Sequence, residues 1–269
     1  SIPQSLFLHK FQLKAPIDEI KKYYLENKSK INLNLQDEDD YYPLHQVVLL
    51  KKLPYVQFII ENLPNKDKDI NNADSVGNSA LHLAVTLKNV EEIINYLIKQ
   101  GADINLCNNK KQTPLHLACG KNRIENVNIL LADPSIKYNP IDYQGFTPLI
   151  KACASQAYDS VKSLLRIKDI NINAKDKLGN TALHYLCEDE KFDIAIQIIK
   201  NGGDIEDKNN NGKTPLDLIK TEDVNSGLES SFKEYSIICL FPSPVSPLWI
   251  TNPPWDILEW FCFNSFSLI

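Results

Sequence analysis

One tetrapeptide of the Thr-Pro-Leu-His pattern returns six times along the chain and constrains it more than any other feature. The copies are Tyr42-Pro43-Leu44-His45, Ser79-Ala80-Leu81-His82, Thr113-Pro114-Leu115-His116, Thr147-Pro148-Leu149-Ile150, Thr181-Ala182-Leu183-His184 and Thr214-Pro215-Leu216-Asp217. Their first residues are spaced by 37, 34, 34, 34 and 33 positions. A fixed period of this length means one supersecondary unit repeated, each copy leaving an apolar face that only its neighbour covers. Such a chain builds an elongated array rather than one closed core, and its 269 residues are no obstacle to that.

The tetrapeptide reads as a helix start. Thr113 supplies a side-chain acceptor for a first-turn amide. Pro114 at the first helical position sacrifices no hydrogen bond, Leu115 opens the buried stripe, and Leu117, Ala118 and Cys119 keep the packing face small. His116 is expected to bond the backbone of a neighbouring turn. A second helix follows, as over Val90 to Lys99, where Val90, Ile93, Ile94, Leu97 and Ile98 recur at helical spacing. Gly101 suits the left-handed position after it. The stretch Ala102-Asp103-Ile104-Asn105 then leads, extended, to the next hairpin tip. The expected fold is an all-α repeat solenoid of about seven helix-turn-helix units joined by β-hairpin tips, with an irregular C-terminal tail.

A degenerate first copy precedes the six, with helices expected over Ser5 to Leu13 and Ile17 to Asn27, followed by a tip at Asp37 to Asp40. The boundaries become 5–36, 37–73, 74–107, 108–141, 142–175, 176–208 and 209–235, an array over 5–235. The surplus residues of the second copy fall in Pro64 to Lys68, expected as a surface loop. The last copy has a mostly polar second helix over Ser226 to Tyr235, as a terminal cap should. Residues 236–269 break the pattern. They hold Trp249, Trp255 and Trp260, with Asp256 and Glu259 as the stretch's charges. Three readings stay open for this tail: disordered or non-native sequence, a segment packed on the last repeat, or a partner-binding segment around Trp255 to Phe266.

Formal net charge is −5 with both signs interspersed, which argues against a phosphate-backbone partner because nucleic-acid binders carry a basic footprint. Six cysteines in so long a chain do not make a disulfide framework and suit a reducing cytoplasm or nucleus. No apolar run is long enough to span a bilayer, and no secretory leader pattern is present. The chain contains no Met, so its start is expected to be missing or processed, and a fragment of a larger protein stays open. A monomer without cofactor, metal or catalytic residues is expected.

Cys119, Cys153 and Cys187 recur every 34 residues, and His82, His116 and His184 share their register. Stacked helices lie about 8–10 Å apart, too far for a disulfide or a common zinc centre. These residues are therefore expected to be core positions and structural histidines. Ile150 and Asp217 replace histidine in two copies, so the ring is no repeated ligand.

The period and the tetrapeptide together resemble the ankyrin-repeat family. The resemblance implies binding through the hairpin tips and exposed first-helix positions, which line the family's concave face. By register these are Glu38, Asp39 and Tyr41; Ser75, Val76, Asn78 and Leu87; Asn109, Lys110, Gln112 and Lys121; Tyr143, Gln144 and Phe146; Lys177, Leu178, Asn180, Glu188 and Asp189; and Lys213. Tyr41, Tyr143 and Phe146 are candidate aromatic anchors. Charge alternates from acidic at Glu38 to Asp40, through basic at Lys110, Lys111 and Lys121, to acidic at Glu188 to Glu190, which suits a folded protein of matching pattern. Within the family the stretch from Gly179 to Glu190, Gly212 to Leu216, Asp18 to Lys22 and Gln36 to Asp39 resembles the gankyrin group. That implies a non-enzymatic assembly chaperone binding the C-terminal domain of a proteasomal ATPase subunit. Tyr185, Cys187 and Asp189 depart from the group's L-x-C-x-E sequence, so retinoblastoma binding is not implied. A generic ankyrin scaffold for another protein is the alternative.

Overall fold

The computed structural model describes residues 2–219, and the cap helix expected at 226–235 and the tail at 236–269 lie outside the described residues. The chain divides into two compact units, residues 1–182 and 183–269. The first unit carries helices α1 (Ile2–Gln12), α2 (Ile17–Asn27), α3 (Pro43–Leu49), α4 (Leu53–Glu61), α5 (Lys66–Asp69), α6 (Ala80–Ala84), α7 (Glu91–Lys99), α8 (Pro114–Gly120), α9 (Ile124–Ala132), α10 (Pro148–Ala154) and α11 (Tyr158–Leu164). The second carries the body of α12 (Ala182–Glu188), then α13 (Phe192–Lys200) and a short 3-10 turn at Leu216–Leu218.

The first five tetrapeptides start α-helices and the sixth a 3-10 turn, for reasons their residues supply. In α8 and α10 the Thr113 and Thr147 hydroxyls accept from the amides of His116 and Ile150, and a proline holds the first helical position in both. The first helices bury short side chains. Leu81 with Ala84, Leu115 with Ala118 and Cys119, and Leu149 with Ala152 and Cys153 are all fully buried. Small residues let neighbouring first helices approach, and the longer apolar residues of the second helices (Ile93, Ile94 and Leu97 in α7) close the outer layer. At the N-terminal end, Phe7, Phe11, Tyr24, Tyr55 and Phe58 interlock through edge-on and tilted ring contacts with centroids 5.0–6.4 Å apart.

Two features differ from expectation. Residues 66–69 form a helical turn rather than a loop, because the Asp69 carboxylate accepts the Asn65 amide at 2.7 Å and caps it. The tips are hydrogen-bonded turns, and no strand is found among the described residues. Successive tips exchange too few backbone bonds for a ladder: Asn109 donates to Val76, Tyr143 to Lys110 and Lys177 to Gln144, each at 3.0 Å.

A second tether runs along another register. The Asn71, Asn105 and Asn139 side-chain oxygens accept the amides of Asp103, Lys137 and Asn171 at 2.8–2.9 Å. Their amide nitrogens donate onward to carbonyls of Gly101, Ser135 and Asp169. Each asparagine thus joins one copy to the next at both faces of its amide.

Gly77 holds φ at +83°, and a Cβ there would come within 2.5 Å of the Asn109 amide nitrogen. Gly101 has φ +99° with nothing within 4 Å. Gly101→Ala should therefore cost only the left-handed penalty, about 1 kcal/mol. Gly77→Ala adds a backbone overlap between two tips and should cost at least about twice as much. Chemical denaturation of the two variants checks this ordering.

Candidate functional site

The tips are built from one residue that the tetrapeptide register does not include. Five positions before each copy stands an acid or its amide: Asp37, Asp74, Asn108, Asp142, Asp176 and Asn209. Its Oδ1 accepts two backbone amides, those two and four residues on, at 2.8–3.0 Å in every tip. Its own amide donates to the carbonyl four residues on, closing the turn at 2.9–3.0 Å. The residue three positions on takes positive φ: Gly77, Gly145, Gly179 and Gly212, with Asp40 and Lys111 replacing glycine. The invariance of this Asx position across six copies was the available signal in the sequence.

In four of the six tips a histidine locks the tip to the preceding helix. His45 Nε2 donates to the Asn78 carbonyl at 2.8 Å, His82 to Gln112 at 3.1 Å and His116 to Phe146 at 2.8 Å. Within the second unit His184 makes the same bond to Lys213 at 3.1 Å. The Ser79 and Thr113 amides donate to Nδ1 of His82 and His116 at 3.1 Å, fixing the neutral tautomer protonated on Nε2. In His45 Nδ1 is buried without a partner, and Tyr42 stands where those copies have Ser79 or Thr113. Burial holds all three of His45, His82 and His116 below the ordinary histidine range, against the opposing pull of their carbonyl acceptors and nearby acids.

With this scaffold fixed, the expected binding residues sort by availability. In the first unit Glu38, Asp39, Ser75, Asn109, Lys110, Gln144 and Lys177 are exposed at tip positions two and three. The apolar Val76, Tyr143 and Leu178 stand there too, with 46 %, 53 % and 64 % of their surface open. Tyr41, Asn78, Phe146 and Asn180, each the last residue of its tip, are half-buried. Tyr41 stacks on His45 with centroids 5.9 Å apart, and the Asn78 amide oxygen accepts from Asn108 at 3.0 Å. Gln112, at the same register, is buried and donates to the Asp142 carboxylate at 3.2 Å. Its side chain braces two tips and is not presented outward.

Leu87 and Lys121 come together elsewhere, in a cleft of about 470 Å³ beside the helix-to-helix turns. There Arg123 Nε donates to the Thr86 carbonyl at 2.8 Å, and the buried Asn126 amide bridges the Val85 and Leu87 carbonyls. In the second unit Glu188 and Lys213 are exposed and Asp189 is half-buried.

The Cys and His register resolves into core. Cys119, Cys153 and Cys187 are buried, and burial pushes the Cys187 thiol up to about 12 and the Cys119 thiol up as well. Among the described residues no three His, Cys, Asp or Glu side chains gather as a metal site would require, and no helix is long and apolar enough to cross a membrane.

Family models describing ankyrin repeats match residues 14–108 and 88–176, in a three-copy form, and 164–219 in a many-copy form. The chain belongs to the ankyrin-repeat family. Among solved structures it is similar to the ankyrin repeat domain of Bcl-3, described as a unique member of the IkappaB protein family. That likeness has TM-score 0.70 at 22 % identity, covering 84 % of this chain and 97 % of that one. The human ASB11 ankyrin repeat domain matches with TM-score 0.69 at 22 % identity, covering 85 % and 96 %. At these identities the likeness concerns the ankyrin fold. Comparison with curated proteins finds no match.

Two outcomes follow for the ankyrin scaffold. Asp142→Ala strands the Gln144 and Phe146 amides and the Gln112 side chain, and should lower stability by about 2–3 kcal/mol. Asp142→Asn keeps the Oδ1 acceptor, as Asn108 does, and should cost less than half of that in denaturant melts. The second outcome concerns pH. Between their depressed pKa values and about 6.5, the folded histidines bind fewer protons than the unfolded chain. Their contribution is therefore complete above about 6.5 and lost as pH falls through that range. Thermal unfolding from pH 8 to pH 5 should show this fall, shallower in His82→Gln.

Proposed function

We propose that this ankyrin array, spanning residues 5–235 in seven repeats, is a non-enzymatic protein-protein interaction module. Its partner is a folded protein held along the tip row. The observation that carries the reading is the division of labour within each tip. Position one and most fifth positions are taken by internal hydrogen bonds and position four by the turn's backbone, while positions two and three present Glu38, Asp39, Val76, Lys110, Tyr143 and Leu178 outward, with Lys111 exposed beside them at a fourth position. A rigid backbone carrying exposed aromatic, apolar and charged side chains of both signs is what recognition of a patterned protein surface requires.

The finer reading follows the gankyrin resemblance. The partner is then the C-terminal domain of a proteasomal ATPase subunit, and the role is chaperoning regulatory-particle assembly in the cytoplasm or nucleus. Support comes from the 179–190 stretch and from charged tips of both signs. A generic scaffold for a different protein shares the same surface and differs only in partner.

Pull-down of the isolated ATPase C-terminal domain by the full chain separates the two. Retention is expected, and Glu38→Lys with Asp39→Lys, or Lys110→Glu, should weaken it at least about tenfold through lost charge complementarity. No retention by the native chain sinks the chaperone reading and leaves the scaffold.

A further inference from the structure

We infer that the lysine-rimmed step of the tip row around Tyr143 docks an acidic segment of a protein partner. The inference rests on the interaction-module reading and names the chemistry of one stretch of that surface.

Tyr143 occupies an outward tip position, and its amide is tied to the Lys110 carbonyl at 3.0 Å, so the two residues lie side by side on adjacent tips. The Lys111 ammonium sits 5.1 Å from the centre of the Tyr143 ring. The Lys151 ammonium lies 5.6 Å from the Phe146 ring centre in the same tip. Its stem crosses Gly120, where a Cβ would stand 3.1 Å from Lys151 Cε. Three lysines, Lys110, Lys111 and Lys151, thus meet an exposed phenol ring at one step.

The carboxylate that formally offsets this charge is turned inward. Asp142 is 4 % exposed and spends its oxygens on the Gln144 and Phe146 amides and on Gln112. Among the described residues, Lys110, Lys111 and Lys151 take part in no ion pair with a carboxylate. The outward face of the step is therefore cationic, although the chain as a whole carries −5. A lysine held over a ring has already surrendered part of its hydration, which favours a carboxylate arriving with charge-assisted hydrogen bonds.

Two polyanion classes could answer such a face. The same unit's first tip carries Asp37, Glu38, Asp39 and Asp40 in succession. A long nucleic-acid strand lying along the row would meet those like charges, whereas a short acidic protein segment stops before them. The geometry thus favours a peptide segment rich in Glu or Asp, with an apolar side chain to rest on Tyr143.

The experiment is fluorescence anisotropy of the full chain with a labelled short peptide rich in Glu and bearing one central Leu. Saturable binding is expected, weakening with salt. It should fall at least about tenfold in Lys110→Glu with Lys111→Glu, fall less in Tyr143→Ala, and stay unchanged in Glu38→Gln with Asp39→Gln. All these side chains are exposed, and matching melting temperatures exclude misfolding. No saturable binding, unchanged affinity in the lysine variant, or tighter binding of a single-stranded oligonucleotide of equal length overturns the inference. Peptide binding as expected with no capture of the ATPase domain upholds it while the chaperone reading fails. A captured partner that is indifferent to the lysine variant but lost on Glu38→Lys with Asp39→Lys upholds the interaction module and overturns the acidic segment.

Discussion

A neutral imidazole reaching from one helix to the next tip is the interaction on which the rest of this structure depends. No repeat of an ankyrin array buries its own faces, so cohesion has to be written into contacts between copies. His45, His82 and His116 supply it in the first unit: each sits in the core with Nε2 on a carbonyl some 30 residues on. Burying a polar ring is costly unless its nitrogens are matched, and for His82 and His116 the backbone amide of the residue three positions earlier provides the second match. Where Tyr42 takes that place the ring is left with an orphaned Nδ1. The tetrapeptide is thus a joint as well as a helix start.

The tips owe their rigidity to a similar economy. One Asx oxygen collects two amides, one positive-φ residue turns the chain, and the fifth residue offers its carbonyl to the turn and, in most copies, to the preceding histidine. The second and third side chains of a tip remain for an outside partner, joined at one tip by the exposed Lys111 at the fourth position. That arithmetic makes the exposure of Val76, Tyr143 and Leu178 informative, since large apolar groups stand where the fold has no use for them. It also explains the local charge. Acids at the Asx position are consumed inside, so the lysines beside Tyr143 dominate what an approaching molecule meets.

Much of this was legible in the residues. The helix expected over Ile17 to Asn27 is present with those bounds, and Thr113 and Pro114 act as their chemistry predicts. The histidine-to-backbone bond was also foreseeable, because a buried ring at fixed period needs a fixed acceptor. Other features escaped because they depend on what a side chain meets across space. Gln112 reads as a polar tip residue and is buried against Asp142. The polar run at 66–69 reads as a loop and closes into a helical turn on Asp69. The asparagines at 71, 105 and 139 carry no local signature, since both of their partners lie in the next copy.

The sequence by itself determined the period, the all-helical repeat, the core face of each helix and the core placement of the Cys and His register. These are local or periodic properties, set by side-chain size, capping chemistry and spacing. Only the tertiary structure decided which tip residues are presented and which are spent as braces. It also decided that Asp142 faces inward while its neighbouring lysines gather on aromatic rings. The reason is physical: a polar side chain's availability depends on the partner that stacking brings within hydrogen-bond reach, and that partner lies some 30 residues away.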